Sequence, residues 1–259
     1  MQFDADFFQA AAVFLFGAAI GSFLNVVILR LPERKSIIYP GSSCPECGHP
    51  VRPYDNIPIV SFFWLRGRCR DCGARISRRY PFIEFLTACL CLALYLKLGL
   101  TVEFGVFLFF SAAMLAIFWI DLDHMIIPDV ISLSGIVIGV AAAFAGYIPG
   151  VNWKLSILGA FLGAVVLYVP AIIYEKVRGI EGLGGGDVKL LAMIGAFTGP
   201  YGVIFVLFCS SLLGSIGALI SMSVKRIEST TPIPFGPFLT AVSVFYVFAG
   251  REIIDYFFG

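Results

Sequence analysis

Phe7-Phe-Gln-Ala-Ala-Ala-Val-Phe-Leu-Phe-Gly-Ala-Ala-Ile-Gly-Ser-Phe-Leu-Asn-Val-Val-Ile-Leu29 runs from Asp6 to Arg30 without a charged side chain. A helix needs about 20 apolar residues to cross the hydrocarbon core of a bilayer. The stretch therefore reads as a membrane span. Asp4 and Asp6 lead it and the basic residues follow, which is the reverse of a secretory signal, so an uncleaved first span with its N-terminus outside is expected. The whole chain supports a membrane class. Of its 259 residues, 59% are hydrophobic and only 14% charged, with a mean hydropathy of +0.93. Soluble domains are about half apolar and a quarter charged, and a water-soluble core cannot absorb this surplus. The net charge of +1 gives no reason to expect a nucleic-acid partner.

Seven more apolar stretches follow, at 81–97, 103–120, 129–147, 155–175, 187–198, 201–223 and 236–257. The expected fold is thus an all-α polytopic membrane protein with about eight transmembrane helices. The stretch 187–198 is short and runs into Gly199-Pro200, so it and its successor read as a sheltered helical hairpin. Alternate threading puts 30–80, 121–128, 176–186 and 224–235 on one side. That side carries 15 of the 18 Lys and Arg residues, and the other keeps Lys97, Lys154 and Arg251. Because cytoplasmic loops are enriched in Lys and Arg, the basic side is expected to be cytoplasmic. Gly17-Ala-Ala-Ile-Gly21 and Gly159-Ala-Phe-Leu-Gly163 have the spacing that lets helices pack closely in a membrane. The chain divides into a first span (1–29), a cytoplasmic loop domain (30–80) and a larger transmembrane domain (81–259).

The loop holds Cys44-x2-Cys47 and Cys69-x2-Cys72 with Pro45, Gly48 and Gly73 at turn positions. Thiolates two residues apart can chelate one ion from a tight turn, so Cys44, Cys47, Cys69 and Cys72 are expected to hold a structural zinc. Disulfides are disfavoured on the reducing cytoplasmic side. His49 follows the first knuckle but is surplus to four sulfurs. Cys89, Cys91 and Cys209 lie in spans and read as small apolar packers.

Ionisable groups in a span are costly and are functional candidates by default. Trp119-Ile-Asp-Leu-Asp-His-Met-Ile-Ile-Pro-Asp129 carries three aspartates. Asp121 ends a span, Asp123 and His124 read as interfacial loop groups, and Asp129 reads as a helix N-cap. The second candidate is Asp187 in Gly182-Leu-Gly-Gly-Gly-Asp-Val-Lys189. A cap explains one aspartate but not the glycines, which strip side chains from the surface and let another backbone approach. Asp121 and Asp187 fall on one side at similar depth. Two carboxylates brought together share a proton, one acting as base on water and the other as acid toward a carbonyl. Aspartic proteolysis and a cation or proton transport pathway both fit these residues.

The residues resemble a known family, the bifunctional type IV prepilin peptidases, or prepilin leader peptidase and N-methyltransferases, of type IV pilus and type II secretion systems. The resemblance spans nearly the whole chain. It rests on Gly21-Ser-Phe-Leu-Asn25, Arg30-Leu-Pro32, the paired cysteine knuckles, Arg79-Tyr-Pro-Phe-Ile-Glu84, Ile120-Asp-Leu-Asp123 with Pro128-Asp129, and Gly184-Gly-Gly-Asp187. It implies an aspartyl peptidase of the GxGD type in the bacterial inner membrane, with Asp121 and Asp187 as the catalytic pair. The implied activity removes a short basic leader from prepilins or pseudopilins at the cytoplasmic face. It then methylates the new N-terminus from S-adenosylmethionine, the 30–80 loop being the methyltransferase-associated part. Glu84 is a candidate for orienting the substrate amine or for pairing with Arg78 or Arg79, and Asn25 for a hydrogen bond between helices.

Overall fold

A computed structural model describes residues 2–179, 184–225, 234–250, 252, 253 and 256. Gly182 and Leu183 of the glycine motif, Arg226 and Arg251 lie outside them. The described chain is helical, with two isolated β-bridges in the cysteine loop, Ser43 with Pro50 and Arg68 with Arg75. It forms two compact units, residues 1–108 and 109–259.

In the first unit, α1 (Gln2–Arg30) packs antiparallel to α3 (Arg79–Leu98), with the short α2 (Val60–Trp64) in the loop between them. Gly17 and Gly21 set the approach. A Cβ on Gly17 would lie 2.6 Å from the Cβ of Cys91, and one on Gly21 would lie 2.6 Å from the Cα of Glu84. The register is fixed by polar bonds above and below this seam. Tyr95 donates its hydroxyl to Gln9 Oε1 at 3.0 Å, and Asn25 Nδ2 donates to the Tyr80 carbonyl at 3.2 Å. Asn25 thus has the interhelical role expected of it. A neutral side chain that satisfies a carbonyl between helices costs the membrane little.

The second unit is built around the first half of α7 (Gly185–Lys225). Leu190, Leu191, Met193, Ile194, Ala196 and Phe197 are all at most 6% exposed. A helix apolar on every side and buried on every side is the centre of a bundle. α5 (Asp129–Phe144) runs parallel to it, with Gly135 against Met193 and Gly139 against Phe197. α6 (Trp153–Arg178) runs antiparallel, with Gly159 against Gly195 and Gly163 against the Leu191 carbonyl. Ser156 Oγ donates to the Ala196 carbonyl at 2.7 Å. From α4 (Val102–His124), Phe110 meets Phe197 with ring centroids 4.7 Å apart.

The hairpin expected at Gly199-Pro200 is a sharp break inside α7. Gly199 adopts φ 70° and ψ −177°, a conformation that glycine takes without a Cβ clash. Val203 then comes within 2.8 Å of where a Cβ on Gly195 would be. In an unbroken helix those two residues are about 12 Å apart along the axis. The second half of α7 packs on α8 (Gly236–Phe245), where Ser210 Oγ donates to the Phe238 carbonyl at 3.1 Å.

The eight expected passes correspond to α1, α3, α4, α5, α6, the two halves of α7, and α8. Among the described residues, five helices are long and apolar enough to cross a membrane, α7 counting once. Asp129–Phe144 and Gly236–Gly250 are shorter apolar helices. α5 stops before its expected end because Gly146 takes φ +78° and turns the chain. The GxxxG faces predict a contrast. Gly159→Ile forces a side chain into the α7 backbone and lowers stability by about 1–3 kcal/mol, read as the thermal midpoint in nanodiscs. Gly105→Ala, where a Cβ meets nothing within 4 Å, leaves that midpoint unchanged or slightly raised.

Candidate active site and cysteine loop

Three segments of the second unit meet at Asp121. Its side chain, near the end of α4, is only 5% exposed, and its carboxylate accepts the backbone N–H of Gly236. A Cβ on residue 236 would lie 2.5 Å from Asp121 Oδ2, so only glycine fits there. Ile127 fills the space between the segments. It sits 3.0 Å from a Cβ built on Gly186 and 3.4 Å from one built on Gly236. Asp187 is the third residue of α7, half-buried, and its backbone N–H donates to the Gly184 carbonyl at 3.1 Å. It is inside the first turn, so capping does not account for it. The two carboxylates stand within electrostatic range of each other. Beside them, a Cβ on Gly185 would meet nothing within 4 Å, and one on Gly184 would meet only Asp187 Oδ2 at 3.9 Å. Among the described residues, the glycines leave one flank of the carboxylate bare.

Other candidates sit differently from expectation. Asp129 is not an N-cap. Pro128 holds that position, and the Asp129 carboxylate takes Lys189 Nζ at 2.7 and 2.8 Å. The salt bridge wins because Lys189, one turn into α7, faces the first turn of the parallel α5. Asp123 and His124 are exposed in the last turn of α4 and not in the loop after it. Sequence reasoning passed over Gly236, Ile127 and Lys189. The signal for the first was Pro234-Phe-Gly-Pro237, a glycine held between prolines. Ile127 carried none.

In the first unit the two knuckles repeat one geometry. Cys44 donates its N–H to the His49 carbonyl at 2.9 Å and accepts from Gly48 at 2.9 Å; Cys69 donates to Ala74 at 2.8 Å and accepts from Gly73 at 3.0 Å. Gly48 and Gly73 take φ +70° and +73°, which glycine allows. The four sulfurs lie within 4.8 Å of one another, and Cys44 Sγ is 3.8 Å from Cys72 Sγ. A tetrahedral ion with metal–sulfur bonds of about 2.3 Å needs sulfurs about 3.8 Å apart. The donors therefore fit a metal. Backbone N–H groups of Cys47 and Glu46 pull the Cys44 thiol down to about 7. None of the seven thiols is in a disulfide. Arg70 binds Asp55 through Nε at 2.8 Å and Nη2 at 2.6 Å, and Arg52 binds Asp71 at 3.1 Å, closing the loop. Arg70 holds the Asp55 carboxyl below its ordinary range.

Glu84 is held from the loop and from α1. Its Oε2 accepts the backbone N–H of Ile59 at 2.7 Å, and Ser22 also bonds the carboxylate. Arg30 organises the start of the loop, donating to the carbonyls of Ser36, Pro40 and Gly41.

Fold and site together define a polytopic helical membrane protein that gathers two carboxylates at the ends of its helices and carries a metal-competent cysteine loop. Residues 15–98 match the Bacterial Peptidase A24 N-terminal domain and residues 108–219 the Type IV leader peptidase family. The chain belongs to the type IV leader peptidase family. It is 37% identical to a prepilin leader peptidase/N-methyltransferase of Pseudomonas aeruginosa, over 92% of this chain and 90% of that one. A relative of the same name from Aeromonas salmonicida is 36% identical over 95% and 92%. One from Myxococcus xanthus is 38% identical over 87% and 69%. No solved structure matches.

The Asp129–Lys189 pair is exposed, at 56% and 40% of its side chains. A double-mutant cycle of Asp129→Asn and Lys189→Met, read by thermal unfolding, is expected to give a coupling below about 1 kcal/mol.

Proposed function

We propose that this chain cleaves the short basic leader of type IV prepilins or pseudopilins and methylates the amine so exposed. The peptidase reading is supported by Asp121 and Asp187 standing within electrostatic range of each other, in segments that Ile127 joins beside glycine backbone. One ionised carboxylate takes a proton from a water, and the hydroxyl attacks the scissile carbonyl while the protonated partner gives its proton to the carbonyl oxygen. Collapse breaks the C–N bond as the first aspartic acid returns its proton to the leaving amine and the second carboxylate takes a proton back from the diol, leaving the carboxylic acid and restoring the starting protonation of the pair. The Gly236 N–H fixes the orientation of the Asp121 carboxylate throughout. The open flank at Gly184 and Gly185 admits an extended substrate backbone, which helical substrates must adopt locally to be cut. The cation or proton pathway has no support from the relatives, which carry the peptidase and methyltransferase name.

The same reading assigns zinc to Cys44, Cys47, Cys69 and Cys72. With four sulfurs the ion has no open position and serves to fold the loop. S-adenosylmethionine is the methyl donor implied by the family. Asp55 and Asp71, two loop carboxylates able to balance a sulfonium charge, are each taken up by an arginine, so no residue is assigned to the donor. The excess of Lys and Arg supports a cytoplasmic location for the loop and for the ends of α4 and α7 that hold the aspartates.

Asp121→Asn and Asp187→Asn are each expected to slow leader removal by about 100- to 10,000-fold without lowering the thermal midpoint. The mass of a co-expressed prepilin reads this, and full cleavage by either variant would refute the assignment. Separately, the Cys44→Ser/Cys69→Ser protein is expected to lose its bound zinc, measured by elemental analysis. It should stop adding a methyl group to the cleaved product while still removing the leader. Retained methylation in a metal-free protein would refute the role given to the loop.

A further inference from the structure

Helix α2 has two unlike faces. Ser61 is buried and donates its hydroxyl to the Tyr54 carbonyl at 3.1 Å, and the ring of Phe62 lies 3.0 Å from a Cβ built on Gly67. The opposite face carries Val60, Phe63 and Trp64, which are 54%, 70% and 78% exposed. At i, i+3 and i+4 they form one stripe. Apart from the edge contact of Phe63 with Phe62, this stripe is turned away from the core of an arginine-rich loop.

The depth of this stripe is set by the hydrogen bond from Ile59 N–H to Glu84 Oε2. Glu84 is the sixth residue of α3, about 7 Å along the helix from Arg79, and its backbone is pressed against Gly21 of α1. Both helices have spanning length and composition. Ile59 is held there with φ 63°, a left-handed conformation unfavourable for a β-branched residue. The residue immediately before α2 is therefore pinned at the mouth of two membrane spans. Arg66 and Arg68, both exposed, follow the stripe.

We propose that α2 is an interfacial anchor, with Val60, Phe63 and Trp64 lying in the headgroup belt of the bilayer and Arg66 and Arg68 reaching lipid phosphates. Tryptophan is enriched at this level because its ring is apolar and its N–H polar. A short amphipathic helix lies in the plane when its apolar face is sunk and its charged flanks stay in the headgroups. The anchor and the Glu84 bond together hold the cysteine loop down on the membrane, where the N-terminus of a membrane-embedded substrate emerges. The last point rests on the proposed function; the anchor does not.

The test compares the wild-type chain with Trp64→Phe in nanodiscs of phosphatidylcholine and phosphatidylglycerol. The difference in tryptophan emission between them reports Trp64 with Trp119 and Trp153 left in place. Lipids brominated high on the acyl chain are expected to quench that difference signal about twofold or more, and acrylamide in the water little. Strong acrylamide quenching with no effect of bromine would place the stripe in water and overturn the proposal. Shielding from both quenchers would mean that a protein covers it, which also overturns it. Leader removal by Trp64→Phe tests nothing here, so a failed peptidase assignment leaves the anchor intact.

Discussion

Inside a bilayer a helix has no water to drive it against its neighbours, so what holds this protein together is contact between backbones. Gly159 and Gly195 are the plainest case. A Cβ on either would come within 2.3 Å of the other's carbonyl oxygen, so α6 and α7 approach as closely as two helices can. Gly163 extends the same arrangement along α6, while Gly135 and Gly139 make room on α5 for the Met193 and Phe197 side chains of α7. That half helix is thereby fixed on several sides, and Asp187 at its beginning is carried by a rigid element. That half ends at Gly199, where the chain turns through a conformation open to glycine.

The polar groups are few, and several are placed by an identifiable partner. Asp121 is held by the Gly236 N–H, Glu84 by Ile59 and Ser22, and Asn25 by the Tyr80 carbonyl. Glycine has a different use at the paired aspartates than in the helix seams. At Gly236 it lets a backbone donor reach a carboxylate, at Gly186 it admits Ile127, and at Gly184 and Gly185 it leaves space empty among the described residues. An empty flank is of no use to packing and of much use to a site that must receive another chain. The cysteine loop solves a separate problem, since a segment so rich in arginine has little core. It substitutes four convergent sulfurs and the Arg70–Asp55 and Arg52–Asp71 pairs.

The apolar helices, the paired knuckles and the two unusual aspartates were legible in the sequence. Each is a local pattern: the run of apolar residues, the x2 spacing of thiols, and the charge in an apolar stretch. The break in α7 was legible for the same reason, because Gly199-Pro200 is local chemistry. Asp129 was misjudged because its partner, Lys189, lies 60 positions away, and the Ile59 N–H that Glu84 accepts, 25 positions away, was out of view for the same reason. A cap or a nearby arginine is the natural reading when only neighbours are visible.

Membrane character and the convergence of the four loop cysteines follow from the sequence, since hydrophobicity and chelate spacing act over a few residues. Tertiary structure alone decided what surrounds the aspartates. Gly236, 115 positions beyond Asp121, supplies its donor, and Ile127 joins the segments that carry Gly186 and Gly236. A hydrogen bond requires two groups within about 3 Å, and for residues so far apart along the chain only the packing of the helices sets that distance.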